Sequence, residues 1–268
     1  MIYKTFALAL WKNRNFIYTF APNKPMKTTV IDERCATGIP VFDKITKGGF
    51  LPQSINLITG GPGSGKTTFV LEWLWNGLTK YNENGMFVSF EDDLENVKKD
   101  ALAHGWDFSK HENERRFNFS SVIPYEQGLS LEMQKSQLKK DLLASIKKFN
   151  IKRIVIDPIT LFGMAFRTSY EIRKNLFELV QMLKSIGCVV LITSETAGEA
   201  PLDISAGGSY SRFGIEEFIA DSVVVLHNSG LGGETDRALR IIKMRRTDHV
   251  RGPIPMAIKK DGIYLVEE

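Results

Sequence analysis

The sequence predicts an α/β domain: a mostly parallel sheet flanked by helices, closed by an antiparallel C-terminal edge. Three observations predict it. Short apolar, β-branched runs at Ile55 to Thr59, Gly85 to Phe90, Ile151 to Asp157 and Cys188 to Thr193 alternate with longer segments of helical spacing. That alternation marks strands buried on both faces. The first run leads straight into a glycine-rich loop and a helix, LITGGPGSGKTT from Leu57 to Thr68. Beyond Leu226 the helical patterns stop, and shorter strand-like runs follow at Ala238 to Met244, Pro255 to Lys259 and Ile263 to Val266, with turns at Gly252-Pro253 and Asp261-Gly262.

Taken in order, residues 1–26 form an N-terminal extension outside this pattern, and residues 27–268 form the domain. Phe6 to Trp11 is apolar, but Lys12, Asn13 and Arg14 interrupt it before it reaches the length of a secretory core, and no small-residue cleavage site follows. Met26 reads equally well as a start. A short helix is expected around Ile39 to Ile45, then Gly48-Gly49-Phe50 turning into the first strand. The helix after the glycine loop carries Phe69, Val70, Leu71, Trp73, Leu74 and Leu78, apolar over a wide arc, as a helix packed on a sheet requires. Leu94 to His104 has helical spacing with Asp92 or Asp93 as cap, and Phe117 to Val122 reads as a strand. Leu129 to Phe149 reads as a long amphipathic helix with Leu131, Leu138, Leu142, Leu143 and Ile146 inward and a solvated lysine face. Glu171 to Ile186 is a further helix, Ser222 to Leu226 a further strand, and Phe162 to Tyr170 a loop open to a partner contact.

The 268 residues suffice for one large domain with a full core. With 43% hydrophobic and 25% charged residues the chain has an ordinary globular composition, and no apolar run approaches the roughly 18 to 20 residues that span a bilayer. The net charge of +4 is too small to imply nucleic acid by itself. Two cysteines make no disulfide framework and the four histidines show no metal-ligand spacing, which fits a reducing cytoplasm. Cys188 reads as a buried small hydrophobe and Cys35 as a loop residue.

Gly60, Gly65, Lys66 and Thr67 satisfy the Walker A spacing in its strand–loop–helix context. The loop residues Gly60, Gly61, Pro62, Gly63, Ser64, Gly65, Lys66, Thr67 and Thr68 are expected to bind the nucleotide, with the N–H groups of Gly63, Ser64 and Gly65 turned inward around a phosphate. The helix N-terminus adds its positive dipole end. Lys66 should reach the outer phosphates of a purine nucleoside triphosphate, and the Thr67 hydroxyl should ligate Mg²⁺. Asp157 ends a buried strand at the edge where open α/β sheets place ligands, and is the second magnesium-side carboxylate; capping the strand before Pro158 is its plainer alternative. Glu91 ends the strand after the loop helix and is placed to polarise a water, with Asp92 beside it. Ser194 closes its strand on the same edge, as a sensor of the outermost phosphate or as a plain strand-end serine. Strand alternation puts Lys243 and Arg245 on one face, aimed at one anion or serving as a solvated basic edge.

The glycines and aromatic of Gly48-Gly49-Phe50, FEDD from Phe90, EEFIADSVVVL from Glu216, and the Lys-x-Arg-x-x-x-His run from Lys243 to His249 together resemble the KaiC-like ATPases of the RecA superfamily, over Thr28 to Val266. A single-domain member is implied, with a RecA-type core and a ring, usually hexameric, holding ATP at subunit interfaces. The resemblance assigns Glu91 and Asp92 to the family's acidic pair. It assigns Lys243, Arg245 and His249 to the basic run that a neighbouring subunit offers to the nucleotide, as an arginine finger does; Arg246 departs from the small residue usual there. Glu217 and Phe218 stand where the family's clock protein carries a hydroxyl pair, so autophosphorylation there is not expected, with Ser205, Ser209 and Ser211 nearby as other acceptors.

The leading expectation is a slow cytoplasmic ATPase, using ATP and Mg²⁺, whose ring regulates a protein partner. A DNA-binding recombination or repair ATPase is the first alternative, disfavoured because no aromatic–basic interleaving marks a strand groove. An ATP-gated scaffold with little turnover is the second.

Overall fold

The structure is a computed structural model and describes residues 33–90, 94–121, 131–164, 166–196, 209–230 and 236–266. The N-terminal extension, Glu91 to Asp93 and Ser205 lie outside the described residues. The elements run α1 (Pro40–Ile45), β1 (Ile55–Gly60), α2 (Lys66–Lys80), β2 (Asn84–Ser89), α3 (Leu94–Ala103), α4 (Ser109–Asn113), β3 (Phe117–Ser121), α5 (Leu131–Phe149), β4 (Ile151–Asp157), α6 (Ile159–Gly163), α7 (Ser169–Ser185), β5 (Val189–Glu195), α8 (Glu216–Ile219), β6 (Ser222–Asn228), β7 (Arg237–Met244), β8 (Ile254–Lys259) and β9 (Gly262–Leu265).

Among the described residues, all strands join one nine-stranded sheet in the order β3-β2-β4-β5-β1-β6-β7-β8-β9. β1 through β6 pair in parallel, and β7, β8 and β9 continue the sheet antiparallel. This is the α/β class that the sequence predicts. β1 is buried along its whole length between β5 and β6, so the loop after it leaves the sheet at its middle. Strand alternation divides the core in two. One face packs Ile58, Phe87, Val155, Leu191, Val224 and Leu226 against α2 through Phe69, Val70, Trp73 and Leu74; the other packs Leu57, Val88, Ile156, Val190 and Val225 against α7 through Leu176, Leu179, Val180 and Leu183.

Local chemistry moves several boundaries. α7 starts at Ser169 rather than Glu171 because Thr168 caps it: the Thr168 hydroxyl accepts the Glu171 N–H at 3.2 Å, and the Glu171 carboxylate accepts the Thr168 N–H at 3.1 Å. α4 and α6 are too short to show a period and were not anticipated; α6 takes the start of the expected Phe162 to Tyr170 loop. In α5, Leu142 is buried but Leu143 is exposed, a correction that follows from 100° of rotation between neighbours. Lys243 and Arg245 do not share a strand face, since β7 ends at Met244 and Arg245 sits in the following turn. Cys188 precedes β5, buried, donating to Ile151 O at 3.1 Å. Cys35 pairs with Phe50 through both backbone N–H groups and is also buried. Among the described residues no helix is long and apolar enough to cross a membrane.

Candidate functional site

The loop from Gly60 to Gly65 turns on two positions that disfavour a side chain, Gly60 by close backbone and Gly65 by its left-handed conformation. A Cβ on Gly60 would stand 2.2 Å from Leu226 O and 2.6 Å from Ser64 Oγ. Gly65 has φ +94° at the N-cap of α2, a left-handed conformation costly for other residues. The chain thereby enters α2 with its first N–H groups open at the loop. Lys66 folds back over the loop, its Nζ donating to Gly60 O at 2.9 Å and Gly61 O at 3.0 Å. Burial pushes the Lys66 ammonium below its ordinary pKa, opposed by Asp157 and Glu195. The Ser64 hydroxyl is buried and has no hydrogen-bond partner among the described residues, an orphan that an anion in the loop would satisfy. Gly63, Gly65, Lys66, Thr67, Thr68 and Ile258 line a cleft of about 250 Å³ here.

Asp157 comes in from the end of β4. Its Oδ2 accepts from Thr67 Oγ1 at 2.9 Å, and its Oδ1 accepts from Thr193 Oγ1 on β5. Burial pushes its carboxyl above the ordinary range, opposed by the two hydroxyl donors and by Lys66. A threonine hydroxyl and a carboxylate side by side, next to the lysine of a phosphate loop, are the oxygen donors that suit Mg²⁺, which keeps water and phosphate as its other ligands. The residues present fit both a nucleotide phosphate chain and its metal.

Glu91 and Asp92 lie outside the described residues. Ser89 is in register with Asp157, and the Phe90 N–H donates to Asp157 O at 3.3 Å, so the backbone preceding Glu91 is fixed beside Asp157. The Ser194 hydroxyl is engaged away from the loop: it is fully buried, donates to Glu216 Oε1 at 3.1 Å and accepts the Arg212 N–H at 3.4 Å. Its neighbours Thr193 and Glu195, one residue to either side, are the ones that meet Asp157 and the field of Lys66.

Lys243, Arg245 and His249 do not reach this loop within the chain. Lys243 is in register with Val223 and Val223 with Leu57, so the basic run leaves the sheet at the end where β1 begins. Arg245 stands by Asp221, which binds the Ile55 N–H, five residues short of Gly60 and roughly 16 Å along the strand. Each cation has a local partner. Lys243 Nζ donates to Ala220 O at 2.7 Å and Glu217 O at 3.3 Å, the terminal carbonyls around α8. Arg245 NH1 pairs with Asp221 Oδ1 at 3.2 Å, and Lys184 pairs with the same carboxylate at 3.0 Å. His249 is exposed, its Nδ1 2.9 Å from Val250 O. Glu217 accepts from Ser209, Ser211 and the Tyr210 N–H, and Ser211 is fully buried with its hydroxyl also on Glu216 at 2.7 Å.

Sequence reasoning passed over Thr193, Glu195 and Ile258. Thr193 and Glu195 flank a serine that does carry the strand-end signal, and only the alternation of side chains decides which of them face Asp157 and Lys66. Ile258 comes from β8, and nothing local to it points to the loop.

A family model described as the KaiC ATPase matches residues 35–268. The circadian clock oscillator protein KaiC of Synechococcus elongatus is 34% identical over 231 residues, covering 85% of this chain and 43% of that protein. KaiC of a Nostoc species is 32% identical over 235 residues, covering 87% and 44%. The chain thus spans less than half the length of these relatives. Among solved structures, the KaiC-like protein of Pyrococcus horikoshii OT3 is similar at a TM-score of 0.73 and 32% identity, over 87% of this chain and 99% of that one.

Proposed function

The chain belongs to the KaiC family of ATPases, and on that premise we propose an Mg²⁺-dependent ATPase that works as a ring, each nucleotide held between two copies, to regulate a protein partner. The Gly60 to Thr68 loop binds the phosphates, and Thr67 with Asp157 holds the metal, which when bound draws charge off the phosphoryl oxygens. Glu91 orients the attacking water with Asp92 beside it. Lys243, Arg245 and His249 serve the nucleotide of a neighbouring copy and neutralise charge on the transferring phosphoryl group. One observation carries the ring: the phosphate loop and the basic run sit at opposite ends of the same strands, so one chain cannot bring both to one nucleotide, whereas two copies can.

The test is the mass of the purified full chain in solution, with and without Mg²⁺ and ATP, alongside phosphate release with and without single-stranded DNA. A closed oligomer that releases phosphate without DNA is expected. A monomer that turns over at full rate removes the shared site. Filaments and turnover only with DNA move the reading to the recombinase class, with affinity falling steeply as salt rises.

A further inference from the structure

Glu72 lies on the second turn of the phosphate-loop helix, at a position where a carboxylate is unusual because it is buried. It faces the turn between β8 and β9. Its Oε2 accepts the Ile263 N–H at 2.7 Å, and Gly262 presses flat against it: a Cβ there would stand 2.7 Å from Oε2 and 2.8 Å from Oε1. Ile263 is in register with Ile258, and Ile258 lines the phosphate cleft, its Cδ1 2.5 Å from where a Cβ on Gly65 would be. The same turn also meets His104, whose Nδ1 lies 3.1 Å from both Lys259 O and Lys260 O. Carbonyls only accept, so that nitrogen carries the hydrogen.

We propose that Glu72 is a positioning residue for the nucleotide cleft: its carboxyl group, accepting the Ile263 N–H, fixes the β8–β9 turn on α2, and the Ile263–Ile258 pair transmits that placement to the wall beside Gly65. This rests on the reading of the loop as a nucleotide site. The groups that face Glu72 are Lys80 on its own helix, with Asn76 as a neutral neighbour, and Asp261 and Tyr264 on the hairpin. Burial pushes the Glu72 carboxyl up to about 7, with the Ile263 N–H and Lys80 pulling it down. A carboxyl that holds its proton more tightly under the turn than in water makes the closed turn weaken as pH rises toward 7.

Hydrogen exchange at the Ile263 amide, corrected for its intrinsic rate, reads the turn directly in the full chain. Between pH 6 and pH 8 the opening constant of the wild type should rise about tenfold, and that of Glu72→Gln, which keeps an acceptor but does not titrate, should stay level. Binding of a non-hydrolysable ATP analogue with Mg²⁺ reads the cleft. Glu72→Leu should weaken it about tenfold and Glu72→Gln should restore it to within about twofold. A level opening constant in the wild type overturns the proposal, as does full affinity in a folded Glu72→Leu protein. A wild-type chain that binds no nucleotide overturns the site reading and this proposal with it, whereas analogue binding that ignores Glu72 overturns the proposal alone.

Discussion

At the residue scale, the proposed metal side of the cleft depends on how one buried carboxylate is satisfied. Asp157 takes one hydroxyl from each flank, Thr67 on the loop helix and Thr193 on β5, and so is held in a fixed orientation. Thr193→Val preserves shape but leaves one carboxylate oxygen without its donor, which costs about 1–3 kcal/mol for a buried acceptor. Thermal melts should show that loss. A double-mutant cycle with Asp157→Asn should show the two changes are not additive, because they share one interaction. Glu72 makes stability depend on pH. Its folded value of about 7 lies above the ordinary 4.5, so between those values the native chain binds more protons than the unfolded one. Stability contributed by that proton is complete below pH 4.5 and is lost as pH rises to 7. Glu72→Gln should therefore gain stability over the wild type at pH 8 relative to pH 4.5, on the order of 3 kcal/mol, read from denaturation midpoints at the two pH values. An equal difference at both would show that Glu72 titrates normally.

At the element scale, Gly60 and Gly65 of the loop differ in what surrounds them. Beside Gly60 stands backbone, Leu226 O, which cannot move without breaking the β1–β6 ladder, whereas beside Gly65 stands the far end of Ile258. Gly60→Ala should unfold a large fraction of the protein, while Gly65→Ala, strained by about 1–2 kcal/mol in its left-handed backbone, should stay folded and bind nucleotide weakly. Melting curves beside analogue titration separate the two. The helix borders obey equally local rules: Thr168→Ala removes one half of the α7 capping box and should cost about 1 kcal/mol, a fall of roughly 2–4 °C in Tm. The strands and the loop were legible in the sequence because burial on both faces and the glycine spacing are properties of contiguous residues. What was hidden depends on pairing between distant segments. Thr193 rather than Ser194 meets Asp157 because of the face on which β5 presents it, and Leu143 turns outward because α5 keeps only one side on the sheet. Ile258 reaches Gly65 because the antiparallel edge folds back over α2.

At the scale of the whole molecule, the sheet separates two kinds of charge. Its one end gathers Lys66, Thr67 and Asp157, the groups proposed to hold the nucleotide and its metal, and its other end gathers Lys184, Lys243 and Arg245 near the carboxylate of Asp221. Two cations already compete for Asp221, and burial, with Arg245 nearby, pushes Lys243 below its ordinary pKa. An anion brought by a second copy would relieve that repulsion, which would give the proposed assembly a reason to form around nucleotide. The consequence can be tested by mixing. Lys66→Ala protein keeps its basic run but has lost the phosphate lysine, and Arg245→Ala protein keeps its phosphate loop but has lost the arginine. Each alone should release phosphate at a few per cent of the wild-type rate or less, since either loss removes charge stabilisation worth about 2.7 kcal/mol or more. Mixed under conditions that let subunits exchange, the two should regain activity, because some interfaces then pair an intact Lys66 with an intact Arg245. If each chain completed its own site, mixing would give only the sum of the two residual rates.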